Sequence, residues 1–213
     1  MILYRPMDIE ELRLVYETGM KAFPPRKPEQ PIFYPVLTVE YANEIAQHWN
    51  AESRSASGYV ARFDLDDAYG ARFEPQKVGG SHHVELWVPA AELSAFNEHI
   101  SPPIMIVGAH FGNSFRGYIP DRFGLQGKDV TVQFAVLART MKYSGMDFRY
   151  EIAANHLAIF LNYGFWTQST FTDEGIEEAE QERVLLAIKK IWLDIFPEIH
   201  LPLSDRLPKV DPK

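Results

Sequence analysis

The sequence predicts an α+β protein, with a strand-rich first half (residues 1–107) followed by a glycine-rich connection and a helical second half (residues 108–213). Three observations carry that reading. Up to about residue 101, short apolar runs alternate with turn residues; beyond it, a stretch holding Gly108, Gly112, Gly117, Gly124 and Gly127 gives way to long patterns at helical spacing. No repeat, low-complexity tract or linker-like composition separates the halves, so the helical part is expected to pack on the sheet as an integral part of one fold. With 46% apolar residues over 213 positions, the chain can bury a sizeable core.

Ile2 to Arg5 reads as a strand stopped by Pro6. Asp8 stands three residues before Glu11, a capping-box spacing, and Ile9, Leu12, Val15 and Tyr16 recur at helical intervals up to Gly19. Pro24, Pro25, Pro28 and Pro31 make the next segment an extended loop. Residues 31–37 form a short strand-like run broken by Pro35, and Thr38 opens a helix carrying Tyr41, Ala42, Ile45, Ala46 and Trp49. Tyr59 to Leu65 alternates as a strand, and Ala71 to Val78 reads as a hairpin arm ending at Gly79 and Gly80. Val84 to Pro89 is the clearest strand, followed by a helix over 90–100 and a last strand over 104–107.

In the second half, residues 129–142 are expected to be helical, and 146–166, apolar on nearly every face, to be one buried helix. Residues 175–196 read as an amphipathic helix, acidic at its start and carrying Lys189 and Lys190 late, as the helix dipole favours. The tail, with Pro197, Pro202, Pro208 and Pro212, is expected to wrap or fray. Glu151, Asn155 and Asn162 fall on one helical face, where they should either hydrogen-bond to the first half or line a cavity, structural bonding being the plainer reading.

Composition narrows the function. There is no cysteine, which removes disulfides, thiolate ligands and a cysteine nucleophile. The net charge of −8 gives no general field for nucleic acid. No apolar window is long enough for a membrane span and no signal peptide is visible, so a soluble cytoplasmic protein is expected. Among seven histidines only His82 and His83 are adjacent, and neighbours on a strand point to opposite faces; no metal site is expected from such spacing. The glycines of 108–127 match neither a P-loop nor a dinucleotide fingerprint, and no nucleophile-elbow motif occurs.

The informative arrangement lies in the first hundred residues. Glu85 is an acid inside an otherwise apolar strand, an unfavourable placement unless it is paired or functional. By strand alternation it shares a face with His83 and Trp87, while Val84, Leu86 and Val88 face the core. An ion pair of Glu85 with Arg5 or His83 that only ties strands together is the plainer explanation. The order of segments adds a second one. Leu3-Tyr4-Arg5-Pro6, Ala22-Phe23-Pro24-Pro25-Arg26, Phe33-Tyr34-Pro35-Val36-Leu37 and Glu85-Leu86-Trp87-Val88-Pro89-Ala90 together resemble the ADP-ribosyltransferase superfamily, and more narrowly a set of bacterial proteins that carry the name ADP-ribosylation/crystallin J1.

The resemblance covers about residues 1–107 and implies a split mixed sheet and an NAD site. It implies catalytic roles for Arg5 (holding the cofactor ribose), Tyr34 (beside the nicotinamide) and Glu85 (stabilising the ribosyl cation). Tyr4, Phe33, His83 and Trp87 would join Arg5 and Tyr34 in binding the cofactor. NAD would be consumed as a substrate, ADP-ribose passing to water or to an acceptor, with room for a protein acceptor or partner. A non-catalytic binding or regulatory module on the same fold is the other reading.

Overall fold

Prolines and glycines decide where the strands of the first unit pair and where they part. In the computed structural model, which describes residues 1–204, the chain forms two compact units, Met1–Phe115 and Arg116–Lys213. The first unit runs β1 (Ile2–Met7), α1 (Ile9–Glu17), β2 (Ile32–Phe33), α2 (Val39–Ile45), β3 (Ser57–Leu65), α3 (Asp67–Gly70), β4 (Gln76–Lys77), β5 (Val84–Glu85), β6 (Val88–Pro89), α4 (Leu93–Glu98) and β7 (Ile100–Phe111). Side-chain caps start the helices: Asp8 accepts from the Glu11 N–H and Thr38 from the Tyr41 N–H. Asp66 does the same for the short α3, an element the hydrophobic pattern does not announce.

The fold is thus a mixture of helices and small sheets, and every strand pairing is antiparallel, where a mixed sheet was expected. The central sheet has the order β1-β3-β7. The expected strand over 104–107 is longer in both directions, and Gly108 lies inside it, opposite Val60, instead of opening a loop. Gly108 is needed there, because a Cβ would come within 2.8 Å of Asn43 Oδ1. The expected hairpin arm over 71–78 shrinks to the two residues of β4, which pair with β5.

Val36 joins this sheet to the segment carrying Glu85. Its N–H and C=O exchange hydrogen bonds with Tyr4, at 2.8 and 2.9 Å, and on its other side it faces Glu85. The expected single strand over 84–89 is divided into β5 and β6. The pairs Ile32–Pro89, Phe33–Val88 and Val36–Glu85 nonetheless keep one register, with Pro35 opposite Leu86. Proline has no N–H to give at that point, so the ladder is interrupted there without losing its register.

Two apolar clusters hold this unit. Phe23, Phe33, Phe63 and Phe96 meet edge-on or tilted with centroids 4.9–6.1 Å apart. Val36, Ala42, Ala46 and Val60 form the second cluster, covered by Tyr4, Tyr41, Ile45 and Val107. There α2 continues into a wider turn over Ala46–Asn50 that lies against β3.

The second unit contains α5 (Val130–Tyr143), α6 (Gly145–Ala154), α7 (His156–Trp166) and α8 (Glu178–Ile195). The helix expected over 146–166 is therefore two helices, broken at Asn155. Only α7 is buried nearly all round; α6 leaves Met146 and Tyr150 exposed. The polar stripe is structural, and its partners lie in the second unit rather than the first. Asn162, fully buried, accepts from the Tyr118 N–H and donates to the Tyr118 carbonyl and to Gln133 Oε1. Glu151 accepts from Asn155 and from the Gly124 N–H.

Trp192 Nε1 donates to the Ile199 carbonyl and Lys189 Nζ to the Ser204 carbonyl, which folds residues 197–204 back on α8. Pro208 and Pro212 lie outside the described residues. Among the described residues no helix is long and apolar enough to cross a membrane.

The packing of α2 on β3 has a single-atom test. A Cβ on Gly58 would sit 2.0 Å from the Ala46 carbonyl oxygen, a backbone atom that cannot step aside. Gly58→Ala should destabilise the protein by about 3 kcal/mol, at the upper end for overpacking. Urea unfolding checks this, with Gly145→Ala as control, since a Cβ at Gly145 meets nothing within 4 Å.

Candidate functional site

A cleft of about 580 Å³ opens in the first unit where β1 and the 34–36 segment cease to pair. Beyond the Tyr4–Val36 bridge, the next residues placed to exchange hydrogen bonds would be Pro6 and Tyr34, and Pro6 has no N–H to offer. The strands diverge, and the side chains around the gap become the cleft wall. Arg5, Tyr34 and Glu85 line it, together with Arg26 and Lys27 from the proline-rich loop and with the start of α1.

Arg5 is the best-anchored of these groups. Its Nε and Nη2 donate to the two carboxylate oxygens of Glu11 at 2.8 and 2.9 Å, and its Nη1 donates to the Tyr34 carbonyl at 3.3 Å. Its guanidinium also lies over the Phe33 ring, 5.1 Å from the centroid. The Arg5 and Glu11 side chains are only 12% and 17% exposed, so the pair is largely withdrawn from solvent. Burial alone would weaken the Arg5 charge; Glu11, with Asp8 and Glu85 behind it, outweighs this and raises its pKa above the ordinary value.

Arg26 sits on the far side of Glu11, with Nη1 3.8 Å from Glu11 Oε2 and Nη2 donating to Gln30. Its pKa is lowered, first by burial and then by the neighbouring Arg5 charge. Its Nε is buried with no hydrogen-bond partner.

Glu85 makes no ion pair among the described residues, so the strand-tying pair with Arg5 or His83 does not form; Arg5 takes Glu11 instead. The Glu85 carboxylate accepts one hydrogen bond, from Trp87 Nε1 at 2.7 Å. Tyr34 meets Trp87 edge-on at 6.3 Å, as their opposed places in the β2–β6 register require.

The other expected contacts are elsewhere. Phe33 is fully buried in the aromatic cluster, and Tyr4 packs on the second cluster beside Val36. His83 precedes β5 in a turn, so the strand alternation drawn through His83, Glu85 and Trp87 holds only for the last two. His82 and His83 do not point to opposite faces as strand neighbours would. Both rings reach the carboxylate of Glu44 on α2, at 2.7 and 2.8 Å, and His83 also stacks on Tyr41. The Glu44 carboxyl is held below the usual range by these two hydrogen bonds, that from His82 first.

Glu11, Arg26 and Glu44 are residues the sequence reasoning passed over. Arg26 stands in the proline-rich loop and Glu11 at a helix start, places where a charged residue is ordinary. Glu44 carries no local signal, because its partners are about forty residues away.

The site's chemistry is that of a mixed-charge cleft, with Asp8, Glu10, Glu11 and Glu85 set among Arg5, Arg26 and Lys27. It can hold an anionic ligand and set negative charge beside a cationic centre. Fold and site together define an α+β protein with a charged cleft. No known protein family, curated protein or solved structure matches the chain.

The weight of the Arg5–Glu11 pair can be measured. Glu11→Ala strands a largely buried guanidinium and should cost about 3 kcal/mol. Glu10→Ala, which removes only a surface partner of Arg13, should change stability by less than about 1 kcal/mol. Paired chemical denaturation curves of the two variants check the contrast.

Proposed function

We propose that the cleft binds NAD or an ADP-ribose-like molecule and that the protein is an ADP-ribosyltransferase-like enzyme. It would cleave the bond between nicotinamide and ribose and pass ADP-ribose to water or another acceptor. The observation that carries this reading is the meeting of Arg5, Tyr34 and Glu85, from segments up to 80 residues apart, on one cleft of about 580 Å³, a volume typical of small-molecule sites.

The chemistry follows from the groups present. As the C1′–N bond breaks, its electron pair leaves with nicotinamide, which departs neutral, and positive charge grows on the ribose. The Glu85 carboxylate stabilises that charge and can accept a ribose hydroxyl, with the Trp87 indole fixing its orientation. Tyr34, 38% exposed at the cleft wall, offers a ring face for nicotinamide. Arg5 has two of its three nitrogens committed to Glu11, so it positions Tyr34 through the backbone and adds a fixed positive charge. After nicotinamide leaves, the acceptor oxygen bonds to C1′ and loses its proton to solvent.

That commitment of Arg5 also supports the second reading, a non-catalytic module that binds an ADP-ribose-like ligand without turning it over. One substitution separates the two. Glu85→Gln keeps an oxygen to accept from Trp87, so melting should be nearly unchanged, while nicotinamide release from NAD should fall by roughly 100-fold or more. Saturable NAD binding without nicotinamide release in the parent would establish the module; neither binding nor release at millimolar NAD would overturn both.

A further inference from the structure

We infer that Glu44, His82 and His83 form a binding site for a divalent transition metal of the zinc type, clamping the β4–β5 hairpin to α2. The site lies outside the cleft lining and does not depend on the NAD reading. One ligand atom from each of the three side chains falls within 4.8 Å of the others. Two imidazoles and a carboxylate are a ligand set zinc takes in three-ligand sites, with water in the fourth position; magnesium and calcium prefer oxygen-only surroundings.

The three side chains stand close to the spacing that a bound ion needs. The Nε2 atoms of His82 and His83 stand 2.7 and 2.8 Å from Glu44 Oε1 and Oε2. Ligands on a tetrahedral zinc ion at ordinary bond lengths lie about 3.3 Å apart. Each nitrogen–oxygen contact is thus about half an ångström shorter than on a bound ion, and the whole ligand set lies within 4.8 Å. The half-exposed side chains leave the ion a path from solvent.

The surroundings hold the ligands in place. Tyr41 stacks on the His83 ring at 4.5 Å, and the Thr38 hydroxyl donates to the His82 carbonyl at 2.9 Å, fixing the turn against the start of α2. A Cβ at position 79 would come within 2.5 Å of His83 Nδ1, so glycine there leaves the ring where it stands.

The second ring nitrogen supplies a specific structural consequence. The Gly80 N–H donates to His83 Nδ1 at 3.0 Å, so in the metal-free protein the ring proton is on Nε2, facing Glu44. A metal on Nε2 sends that proton to Nδ1, with no net release from the neutral ring. Nδ1–H then needs an acceptor where an N–H now stands. Turning over the peptide between Gly79 and Gly80 presents the Gly79 carbonyl instead. Glycine on both sides permits this rotation, and a carbonyl on the far nitrogen is the usual support for a metal-bound histidine.

The test uses the untagged full chain titrated with Zn2+ by calorimetry and thermal melting, with Mg2+ as control. One equivalent of Zn2+ should bind and raise the melting temperature by several degrees, reversibly with chelator, while Mg2+ does neither. His82→Ala and Glu44→Gln should each weaken Zn2+ binding by more than about tenfold. His200→Ala should leave it unchanged. As a measurement that needs no folded variant, Zn2+ should protect His82 and His83 of the parent from diethyl pyrocarbonate, read peptide by peptide by mass spectrometry. Absence of one-equivalent binding, or binding that leaves both histidines as reactive as before, overturns the proposal. Folded His82→Ala and Glu44→Gln proteins with parental Zn2+ affinity would overturn it equally.

Discussion

Val36 uses its backbone on one side to bond Tyr4 and faces Glu85 on the other, and the candidate site depends on that double engagement. A strand residue has one N–H and one C=O on its edge, so a short segment can tie together two strands that never touch. The Leu37 N–H to Val84 carbonyl and Leu86 N–H to Pro35 carbonyl bonds complete the join. Glu85 reaches the neighbourhood of Arg5 by this route and by no local spacing. The prolines then act by omission. Pro35 interrupts the ladder on the Leu86 side, Pro6 cannot continue it toward Tyr34 on the other, and the resulting gap is the cleft.

Electrostatics inside that gap are set by a pairing across a short distance in sequence. Glu11 lies in the first turn of α1, whose start is capped by Asp8, and α1 follows β1 directly. The cap therefore aims Glu11 back at the strand that precedes it, where it takes Arg5 before Glu85 can. Glu85 is left without an ion partner among the described residues, oriented by an indole that leaves its charge intact. A carboxylate in that condition is more reactive toward a developing cation than one neutralised by arginine. Arg26, with a buried Nε lacking a partner, adds unspent hydrogen-bonding capacity to the same wall.

The second unit solves a different problem, that of burying polar groups in a helical core. Asn162 and Gln133 are both fully buried, and they bond one another and the backbone of Tyr118 and Lys128. Gly117, at φ +73°, lets the approaching chain pass so close to Asn162 that a Cβ would meet its Oδ1 at 2.6 Å. Fully satisfied networks of this kind favour one arrangement of the surrounding helices over others.

Much of the local structure was legible because it is decided within a few residues. The Asp8 and Thr38 caps, the α5 start at Asp129 and the charge order of α8 follow from side chains bonding or facing their own backbone. The apolar alternation of β3 likewise marks its burial. The sequence by itself also marked Glu85, since an acid in an apolar strand is a costly placement, while Arg5 and Tyr34 stood out only by the order of the segments around them. It could not divide residues 146–166 at Asn155 or split 84–89 into two strands, because those breaks depend on what the flanking segments pack against and pair with. Nor could it place His82 and His83 on one carboxylate: a turn, unlike a strand, has no fixed side-chain alternation. Which acid Arg5 takes, which histidines meet Glu44 and where the sheet parts are decided only in the tertiary structure, where hydrogen bonds between distant segments outweigh local preference.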